Sequence, residues 1–455
     1  MAYQSINPFN GKTLASFDEH GRDELDNKLQ AAQRCFDHDW RQRSYAERAI
    51  VVKRAAALMR ERADELAKLI TLEMGKLIAQ AAGEVALSAA ILDYYADNAE
   101  QFLAPEQLDA TGNRTMVESS PLGVLLGIEP WNYPYYQIAR FAAPNLMAGN
   151  VVMVKHASNV PQCALAFEKC MLDAGAPAGA YSNLFISKDQ ISQLIDDPRI
   201  RGVALTGSEG AGAVVAAQAG KNLKKSTLEL GGSDAFIVLE DADLDKAVKC
   251  AVAGRMGNSG QACTASKRFI VLESVADRFL EKFQQAMGKF SPGDPLDEKT
   301  TLAPLSTRQA LDDLVDQVDR AVAGGASVLM GGSRIPGDGA FMQPTILTDV
   351  AADNPTFREE FFGPVAMFFR VPDEDAAVAL ANDSPFGLGG SIMTQDIERG
   401  RRLARRIDTG MVFINSAAVS KPELPFGGVK NSGYGRELSS AGIDEFVNKK
   451  LIRVA

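Results

Sequence analysis

Three short apolar runs, each followed at once by small or polar residues, constrain the fold of this chain most. They occupy residues 121–128, 151–155 and 203–206. Continuous apolar composition of this length is typical of strands buried on both faces, which occur in parallel sheets covered by helices. The segments between the runs carry helical periodicity, so the sequence predicts an α/β fold. Ligands of open α/β sheets bind beyond the carboxyl ends of the strands, and function is therefore expected there.

Each run ends in residues that can bind a ligand. Asn132 follows the first run between two prolines, and it is either a turn former or a donor to an oxyanion. Lys155 ends the second run, as a solvated strand end or a contact to a ribose or phosphate. Gly207 and Ser208 follow the third run and open a helix rich in small residues that includes Gly212. Such a turn can place a pyrophosphate at the N-terminus of a helix.

Cys263 lies on a short loop of small residues between a predicted helix, 244–256, and a predicted buried strand, 268–272. A reactive nucleophile and a buried structural cysteine are both compatible with this position. Glu229 precedes two glycines and the predicted strand 235–239, and it is either a semi-buried base or a solvated surface group. The chain has only 3 histidines, so a nucleophilic Cys263 would be served by a carboxylate base.

Composition excludes several classes of partner. A net charge of -10 provides no basic excess for nucleic acid or an anionic membrane. The N-terminus carries no apolar signal and the chain has no membrane-spanning apolar run. Its 5 scattered cysteines suit a reducing cytoplasm, and its few histidines and cysteines predict no metal site. With 455 residues the chain is too long for one core.

Six motifs stand in order along the chain and together resemble the aldehyde dehydrogenase superfamily. They are Pro130-Trp-Asn-Tyr-Pro134, Thr206-Gly-Ser208, Glu229-Leu-Gly-Gly232, Gly260-Gln-Ala-Cys263, Glu359-Glu-Phe-Phe-Gly-Pro364 and Pro425-Phe-Gly-Gly428. The resemblance covers essentially the whole chain. Lys155-His-Ala-Ser158 and Glu229-Leu-Gly-Gly-Ser-Asp234 look most like the bacterial succinate-semialdehyde dehydrogenases.

The resemblance implies three structural parts. A Rossmann-like dinucleotide-binding domain would comprise residues 1–104 and 122–231, and a second α/β catalytic domain residues 232–438. Residues 105–121 and 439–455 would form a small β oligomerisation arm, which implies a homodimer or homotetramer. Pattern alone adds an N-terminal hairpin with an Asn-Gly turn and a buried strand over 411–415.

The resemblance also implies catalytic roles. Cys263 would attack the aldehyde carbon and form a thiohemiacetal, while Asn132 and the backbone N–H of Cys263 would form the oxyanion hole. Hydride transfer to a nicotinamide would leave a thioester. Glu229 would activate the water that hydrolyses the thioester, and Glu437 would help to relay protons.

The implied cofactor is NADP, accepted and preferred, with NAD as the other candidate. The residues that match cofactor-binding positions are Trp131, Lys155, Ser158, Gly207, Ser208, Gly212, Glu360 and Phe362, although core packing is an alternative for Phe362. Many NAD-using relatives carry Glu where Ser158 stands here. A carboxylate about 4 Å from a 2′-phosphate would cost roughly 4 kcal/mol per charge pair at an effective dielectric near 20. Ser158 removes that repulsion, and Lys155 can pair with the phosphate.

The implied substrate is succinate semialdehyde, with Arg140 and Ser420 at positions that contact its carboxylate. One departure from the family pattern weakens this assignment. A second arginine of some relatives falls at Gly257, and Arg255 is out of register. A second loop cysteine is replaced by Ala265, so no disulfide switch is expected in the loop.

Three alternatives stay open. The same chemistry could act on another aldehyde, with Arg140 in a structural role or as a surface charge. A thiol hydrolase or acyl transferase would use Cys263 and Glu229 but would leave Lys155, Ser208 and Phe362 unexplained. A non-enzymatic scaffold protein predicts a degraded nucleophile or base, and both are present.

Overall fold

Two sheets, each covered by helices, form the body of the protein. The computed structural model describes residues 3–108 and 114–454. The predicted α/β fold is confirmed, because most strands of both sheets run parallel and helices connect them.

The strands are β1 (Tyr3–Ile6), β2 (Thr13–Phe17), β3 (Glu106–Leu108), β4 (Arg114–Pro121), β5 (Val124–Glu129), β6 (Val151–His156), β7 (Tyr181–Asn183), β8 (Ile200–Thr206), β9 (Lys225–Glu229), β10 (Asp234–Val238), β11 (Ser266–Leu272), β12 (Ser327–Met330), β13 (Thr345–Thr348), β14 (Val365–Val371), β15 (Phe386–Gly387), β16 (Gly390–Met393), β17 (Phe413–Ile414), β18 (Val429–Lys430), β19 (Gly433–Tyr434) and β20 (Val447–Val454).

The helices are α1 (Arg22–His38), α2 (Tyr45–Glu61), α3 (Ala63–Met74), α4 (Ile78–Phe102), α5 (Pro134–Ala148), α6 (Pro161–Asp173), α7 (Lys188–Asp196), α8 (Glu209–Lys221), α9 (Leu244–Met256), α10 (Glu273–Met287), α11 (Arg308–Ala323), α12 (Glu374–Asn382), α13 (Ile397–Ala404) and α14 (Ser439–Ile443), with short 3₁₀ turns at Trp40–Gln42 and Gly257–Gly260.

The first sheet is 6-stranded and has the order β19-β9-β8-β5-β6-β7. Its strands from β9 to β7 are parallel, so the carboxyl ends of β5, β6, β8 and β9 meet at one edge. Strand β19 comes from much later in the chain and pairs antiparallel with β9, placing Gly433 opposite Glu229. This edge carries the residues that the sequence marked as functional.

The second sheet is 7-stranded, with the order β12-β13-β14-β11-β10-β16-β17. Strand β12 is antiparallel to its neighbour, and the other pairs are parallel. Buried side chains of α9 and α10 pack on its strands, among them Ala247, Phe279 and Phe283. The loop that carries Cys263 runs from α9 to β11 and so lies at the edge of this sheet.

A 3-stranded sheet with the order β20-β4-β3 lies outside the two main sheets. Strand β20 pairs antiparallel with β4 from Val447 opposite Pro121 to Val454 opposite Arg114. The resemblance implied this pairing of the C-terminal tail with the earlier extended segment. The role of the arm in joining subunits stays a prediction.

Several sequence predictions hold to the residue, including the helices at Arg22–His38 and Leu244–Met256. The N-terminal hairpin is also present, since β1 and β2 pair antiparallel. The buried strand predicted over 411–415 is wrong. Only Phe413 and Ile414 form β17, and both are half-buried because β17 is the last strand of its sheet and pairs on one side only.

Two further findings concern residues 3–108 and 114–454. None of the helices there combines the length and the hydropathy that a membrane crossing requires. The same part of the chain brings together no group of three or more His, Cys, Asp or Glu side chains able to hold a metal ion.

Candidate active site

A cavity of about 310 Å³ lies where the carboxyl ends of β5, β8 and β9 face the Cys263 loop. Its wall includes the predicted catalytic residues Asn132, Glu229 and Cys263. The other lining residues are Pro130, Trp131, Gln137, Thr206, Gly207, Ser208, Leu230, Gly231, Glu360 and Phe362. The fold thus brings Asn132, Glu229 and Cys263 and most of the predicted cofactor-binding residues to one cavity, while Glu437, the fourth predicted catalytic residue, is not among the residues that line it.

The Cys263 loop is held in an unusual backbone conformation. Asn258 and Ser259 have left-handed φ angles of 51°, and Gly260 has a φ of 77°. A Cβ at Gly260 would lie 2.2 Å from the carbonyl oxygen of Gly363, so only glycine fits. The buried Arg255 donates from Nη2 to the Gly260 carbonyl at 2.7 Å. Arg255 therefore supports the loop from the protein interior.

Burial and four charged side chains act on the pKa of the Cys263 thiol. Burial raises its pKa to about 12, and the charges of Glu360 and Glu229 act in the same direction. The cations Arg140 and Lys267 oppose this shift. Since only the thiolate is strongly nucleophilic, burial and the two carboxylates disfavour the reactive form of the sulfur, and the two cations favour it.

The side-chain amide of Asn132 is buried and fixed in orientation. Its Nδ2 donates to the Gln261 carbonyl at 3.1 Å, and Gln137 Nε2 lies 3.5 Å from its Oδ1. The amide nitrogen carries a second hydrogen, and Asn132 shares the cavity wall with Cys263. This is the arrangement that an oxyanion hole requires.

A buried ion pair that the sequence analysis missed supports Asn132. Lys76 and Glu84 are almost fully buried and pair with each other. Lys76 Nζ also donates to the Asn132 backbone carbonyl at 2.8 Å and lies 3.5 Å from the centroid of the Tyr133 ring. The available signal was a lysine beside Leu77 in the link between α3 and α4 and a glutamate within the largely apolar α4, since such charges must pair when buried.

Glu84 in turn fixes the start of α5. Its Oε1 accepts hydrogen bonds from the backbone N–H groups of Tyr135 at 2.9 Å and Tyr136 at 3.3 Å. These donors belong to the first turn of the helix, where no intrahelical acceptor exists. The pair thus anchors both the Asn132 turn and the helix that carries Arg140.

Glu229 ends β9 and is 3% exposed. Within the described residues neither of its carboxylate oxygens has a hydrogen-bond partner. Burial raises its pKa well above the ordinary value, the charge of Glu437 adds to the shift, and Arg140 opposes it. A carboxylate that holds a proton this readily is suited to take one from water.

The structure places Arg140 behind the cavity, where it is 1% exposed and pairs with Glu437. Its Nη1 donates to the Tyr136 hydroxyl at 3.2 Å, and its Nη2 donates to Thr206 Oγ1 at 3.3 Å. The Tyr136 hydroxyl donates to Ser420 Oγ at 3.1 Å. The two predicted substrate residues are therefore connected through Tyr136, but neither Arg140 nor Ser420 is among the residues that line the cavity.

Glu129 is a further carboxyl group that the sequence analysis did not consider. It ends β5 at 3% exposure, and burial raises its pKa well above the ordinary value. The charge of Glu437 adds to that shift and Arg140 opposes it, so Glu129, Glu229 and Glu437 share the field of one guanidinium.

The predicted adenosine positions lie along the sheet edge, away from Cys263. Lys155 is half-buried at the end of β6, and Ser158 is exposed just beyond it. The pKa of Lys155 is lowered, first by burial and then by the charge of Lys188, which starts α7. The sequence analysis missed Lys188, although it follows β7 at the same sheet edge.

The predicted pyrophosphate turn has two distinct parts. Ser208 caps α8, with its Oγ accepting from the Ala211 N–H at 3.4 Å, and it lines the cavity with Gly207. Gly212 is buried one turn further into the helix, where a Cβ would lie 2.7 Å from the Leu230 side chain. Close packing of α8 thus explains the small residue, and a cofactor contact by Gly212 stays a prediction.

Comparison with known proteins follows the whole chain. Residues 1–452 match the family model described as the aldehyde dehydrogenase family. The succinate-semialdehyde dehydrogenase [NADP(+)] of Deinococcus radiodurans is 52% identical over 451 residues, which cover 99% of this chain and 94% of that protein. The succinate-semialdehyde dehydrogenase [NADP(+)] 1 of Mycobacterium tuberculosis is 46% identical, with 100% of both chains covered.

A solved structure is similar over the same extent. The crystal structure of succinic semialdehyde dehydrogenase from Streptococcus pyogenes, in complex with NADP+ as the cofactor, superposes with a TM-score of 0.98. The two chains are 47% identical, and each is covered completely.

Proposed function

The chain belongs to the aldehyde dehydrogenase family, and within that family we propose that it oxidises succinate semialdehyde to succinate with NADP+. The family resemblance on the six sequence motifs is thereby confirmed. The proposal on substrate and cofactor is supported by relatives of 46% to 52% identity that carry this activity in their names.

Carbon–sulfur bond formation at Cys263 begins the proposed reaction. The Cys263 thiolate attacks the aldehyde carbon, and the carbonyl oxygen becomes an oxyanion. The Asn132 amide and the backbone N–H of Cys263 donate to that oxygen. Loss of one such donor typically raises the barrier by about 3 kcal/mol, so the fixed orientation of Asn132 bears directly on the rate.

The cofactor fits the residues that line the cavity. A Cβ at Gly231 would lie 2.5 Å from Glu360 Oε2, so the missing side chain leaves room beside the carboxylate proposed to hold the nicotinamide ribose. Trp131 and Phe362 meet edge to face, with ring centroids 5.7 Å apart, and provide an apolar wall for a flat ring. When bound, NADP+ supplies the two-electron acceptor that converts the aldehyde adduct of Cys263 into a thioester.

Hydrolysis of the thioester is assigned to Glu229. Its buried carboxylate would remove a proton from the attacking water and hold it, because burial disfavours the charged form. Glu437 carries a raised pKa for the same reason and pairs with Arg140. The charge of Glu437 acts on Glu229, which supports a role for Glu437 in the proton transfer.

The observation that carries the substrate proposal is the connection from Arg140 through Tyr136 to Ser420. The guanidinium is buried, so its field is weakly screened by solvent. It reaches the Cys263 sulfur, whose pKa it lowers, and it orders the hydroxyl groups of Tyr136 and Ser420. The Tyr136 hydroxyl already donates its hydrogen to Ser420, so a substrate carboxylate would accept a hydrogen bond from the Ser420 hydroxyl, with the cation behind Tyr136.

The preference for NADP+ rests on Lys155, Ser158 and Lys188. The ammonium groups of Lys155 and Lys188 lie close enough together for the charge of Lys188 to lower the pKa of Lys155. Mutual repulsion of two cations favours an anion between them, and Ser158 adds a hydroxyl without a negative charge. A ribose 2′-phosphate matches this chemistry.

Initial rates with two four-carbon aldehydes and both cofactors test the proposal. We expect kcat/KM for succinate semialdehyde to exceed that for butanal by about a hundredfold or more, as a charge-assisted hydrogen bond from Ser420 beside a buried cation would give. NADP+ should be preferred over NAD+ with either aldehyde. Equal values for the two aldehydes would overturn the substrate proposal, and a preference for NAD+ would overturn the cofactor proposal.

A further inference from the structure

Lys267 is a fully buried lysine directly beside the nucleophile. It is 0% exposed, and its Nζ donates to the backbone carbonyl of Cys263 at 2.6 Å and to that of Ala262 at 2.8 Å. It also pairs with Glu360, with Nζ 2.8 Å from Oε1. One ammonium group thus contacts the nucleophile loop and a residue proposed to hold the cofactor.

The partners of Lys267 are themselves functional groups of the cavity. Glu360 and Cys263 both line it, and Phe362, another lining residue, has its ring centroid 6.0 Å from Nζ. Glu360 Oε1 also accepts from the Gly232 N–H at 3.1 Å, so its carboxylate is held between that N–H and the ammonium. A lysine that only filled space in the core would not be expected to contact three residues that line the same cavity, Cys263, Glu360 and Phe362.

The geometry points to Lys267 as a positioning residue that ties the Cys263 loop to Glu360 and favours the thiolate form of Cys263. Two carbonyl contacts fix the loop around the sulfur, and the third contact fixes the carboxylate. Because the ammonium is buried, its charge acts on the nearby sulfur with little screening. The charged groups that act on Cys263 are Arg140, Lys267, Glu360 and Glu229.

The thiolate effect requires neither substrate nor cofactor, whereas the effect on Glu360 rests on the proposed function. Two variants separate charge from hydrogen bonding. Lys267→Gln keeps a donor for the carbonyls but removes the charge, and Lys267→Arg keeps both. Lys282→Gln is the matched control, because Lys282 is an exposed lysine paired with Asp245.

Alkylation of Cys263 by iodoacetamide, without cofactor or aldehyde, is measured from about pH 6 to pH 10 by mass spectrometry of the peptide that contains it. We expect Lys267→Gln to slow alkylation about tenfold at each pH below the thiol pKa, the effect of a shift by about one pKa unit. Lys267→Arg and Lys282→Gln should remain within about threefold of the parent enzyme. A Lys267→Gln profile that overlaps the parent profile would overturn the thiolate effect.

A double-mutant cycle with Glu360→Gln, read by NADP+ titration, tests the second contact. Lys267→Gln should weaken NADP+ binding about tenfold in the parent background but no more than about twofold beside Glu360→Gln, because contacting residues are not additive. Equal weakening in both backgrounds would overturn the link to Glu360. Failure of the proposed cofactor preference would leave the alkylation result untouched, so the two conclusions fail separately.

Discussion

Arg140 and Glu437 form an ion pair in the interior, with the guanidinium carbon 4.4 Å from the centroid of the Phe426 ring. The pair joins two residues that lie 297 positions apart in the sequence. The Arg140 cation therefore contacts the hydroxyl of Tyr136, which leads to the proposed substrate residue Ser420. It also acts on the proposed proton acceptors Glu229 and Glu437. Changes at either end are expected to affect chemistry as well as binding.

Replacement of Glu229 by Gln should separate the two halves of the reaction. Without the base, the thioester forms but its hydrolysis slows, so the first turnover should release about one NADPH per active site before a slow phase. Steady-state kcat should fall by about a hundredfold or more. Stopped-flow absorbance measures the burst, and intact-mass spectrometry detects an acyl group on Cys263.

The matched control for this variant is Glu398→Gln, an exposed glutamate paired with Arg401. It should behave as the parent enzyme does. A Glu229→Gln enzyme that turns over slowly without a burst and without a covalent adduct would assign Glu229 to an earlier step.

Replacement of Ser158 by Glu should reverse the cofactor preference. A carboxylate at this exposed position would repel a 2′-phosphate and accept hydrogen bonds from ribose hydroxyls. We expect kcat/KM for NADP+ to fall by at least about tenfold, since solvent screens part of the repulsion, while the value for NAD+ changes little. Ser158→Ala removes the hydroxyl without adding charge, and unchanged selectivity in Ser158→Glu would exclude this position from cofactor choice.

Removal of the Lys76 ammonium should affect stability and rate in different ways. Lys76→Met leaves Glu84 buried without its cation, which typically costs about 3–5 kcal/mol of unfolding free energy. Adding Glu84→Gln should recover much of that loss in urea denaturation. The kcat of both variants should stay about tenfold low, because the Asn132 carbonyl keeps only the Asn258 Nδ2 donor at 3.0 Å and the turn that carries the amide is held less firmly.

If kcat recovered together with stability in the double variant, Lys76 would serve the fold alone. The result depends on comparing the two variants at a temperature where both are folded.

Acid should destabilise the protein through His156, which is 0% exposed. Its Nδ1 accepts from the Ala157 N–H at 2.8 Å, so its Nε2 carries the proton and donates to the Pro134 carbonyl at 2.9 Å. Burial lowers its pKa to about 4, from 6.5 in the unfolded chain. The unfolded state therefore binds the proton first as the pH falls. The stability that this histidine contributes is fully present above the unfolded-state pKa of 6.5, and it is lost as the pH falls towards the folded-state pKa of about 4.

Between about pH 7 and pH 5 this single histidine should account for about 2 kcal/mol of lost stability. Urea unfolding of the parent enzyme and of His156→Gln at both pH values measures it. The parent should lose that much more than the variant does, and equal losses would exclude His156 as the acid-sensitive group.

The fold and most of the site could be predicted because local signals were strong. Apolar runs such as Val151–His156 identify buried strands, and the residues that follow them lie at one sheet edge by the rule for parallel sheets. Cys263, Asn132 and Glu229 thus reached a common cavity from separate parts of the sequence.

The missed residues act through contacts that no local pattern encodes. Lys76 contacts Asn132, which lies 56 positions further along the chain. Lys267, near the start of β11, contacts Glu360 in the segment before β14. The family resemblance placed Arg140 beside the substrate, but its partner Glu437 comes from a segment near the C-terminus. Such pairings arise only when the chain has folded.

The most direct test of the proposed function is the selectivity of Arg140→Met between succinate semialdehyde and butanal, measured as the ratio of their kcat/KM values with NADP+. Butanal is the internal control, since it lacks the carboxylate and reports any general damage to the site. We predict that the ratio falls at least about thirtyfold from the parent value, equivalent to about 2 kcal/mol of lost carboxylate recognition. A ratio that stays at the parent value would contradict the account and assign Arg140 to the support of Glu437 alone.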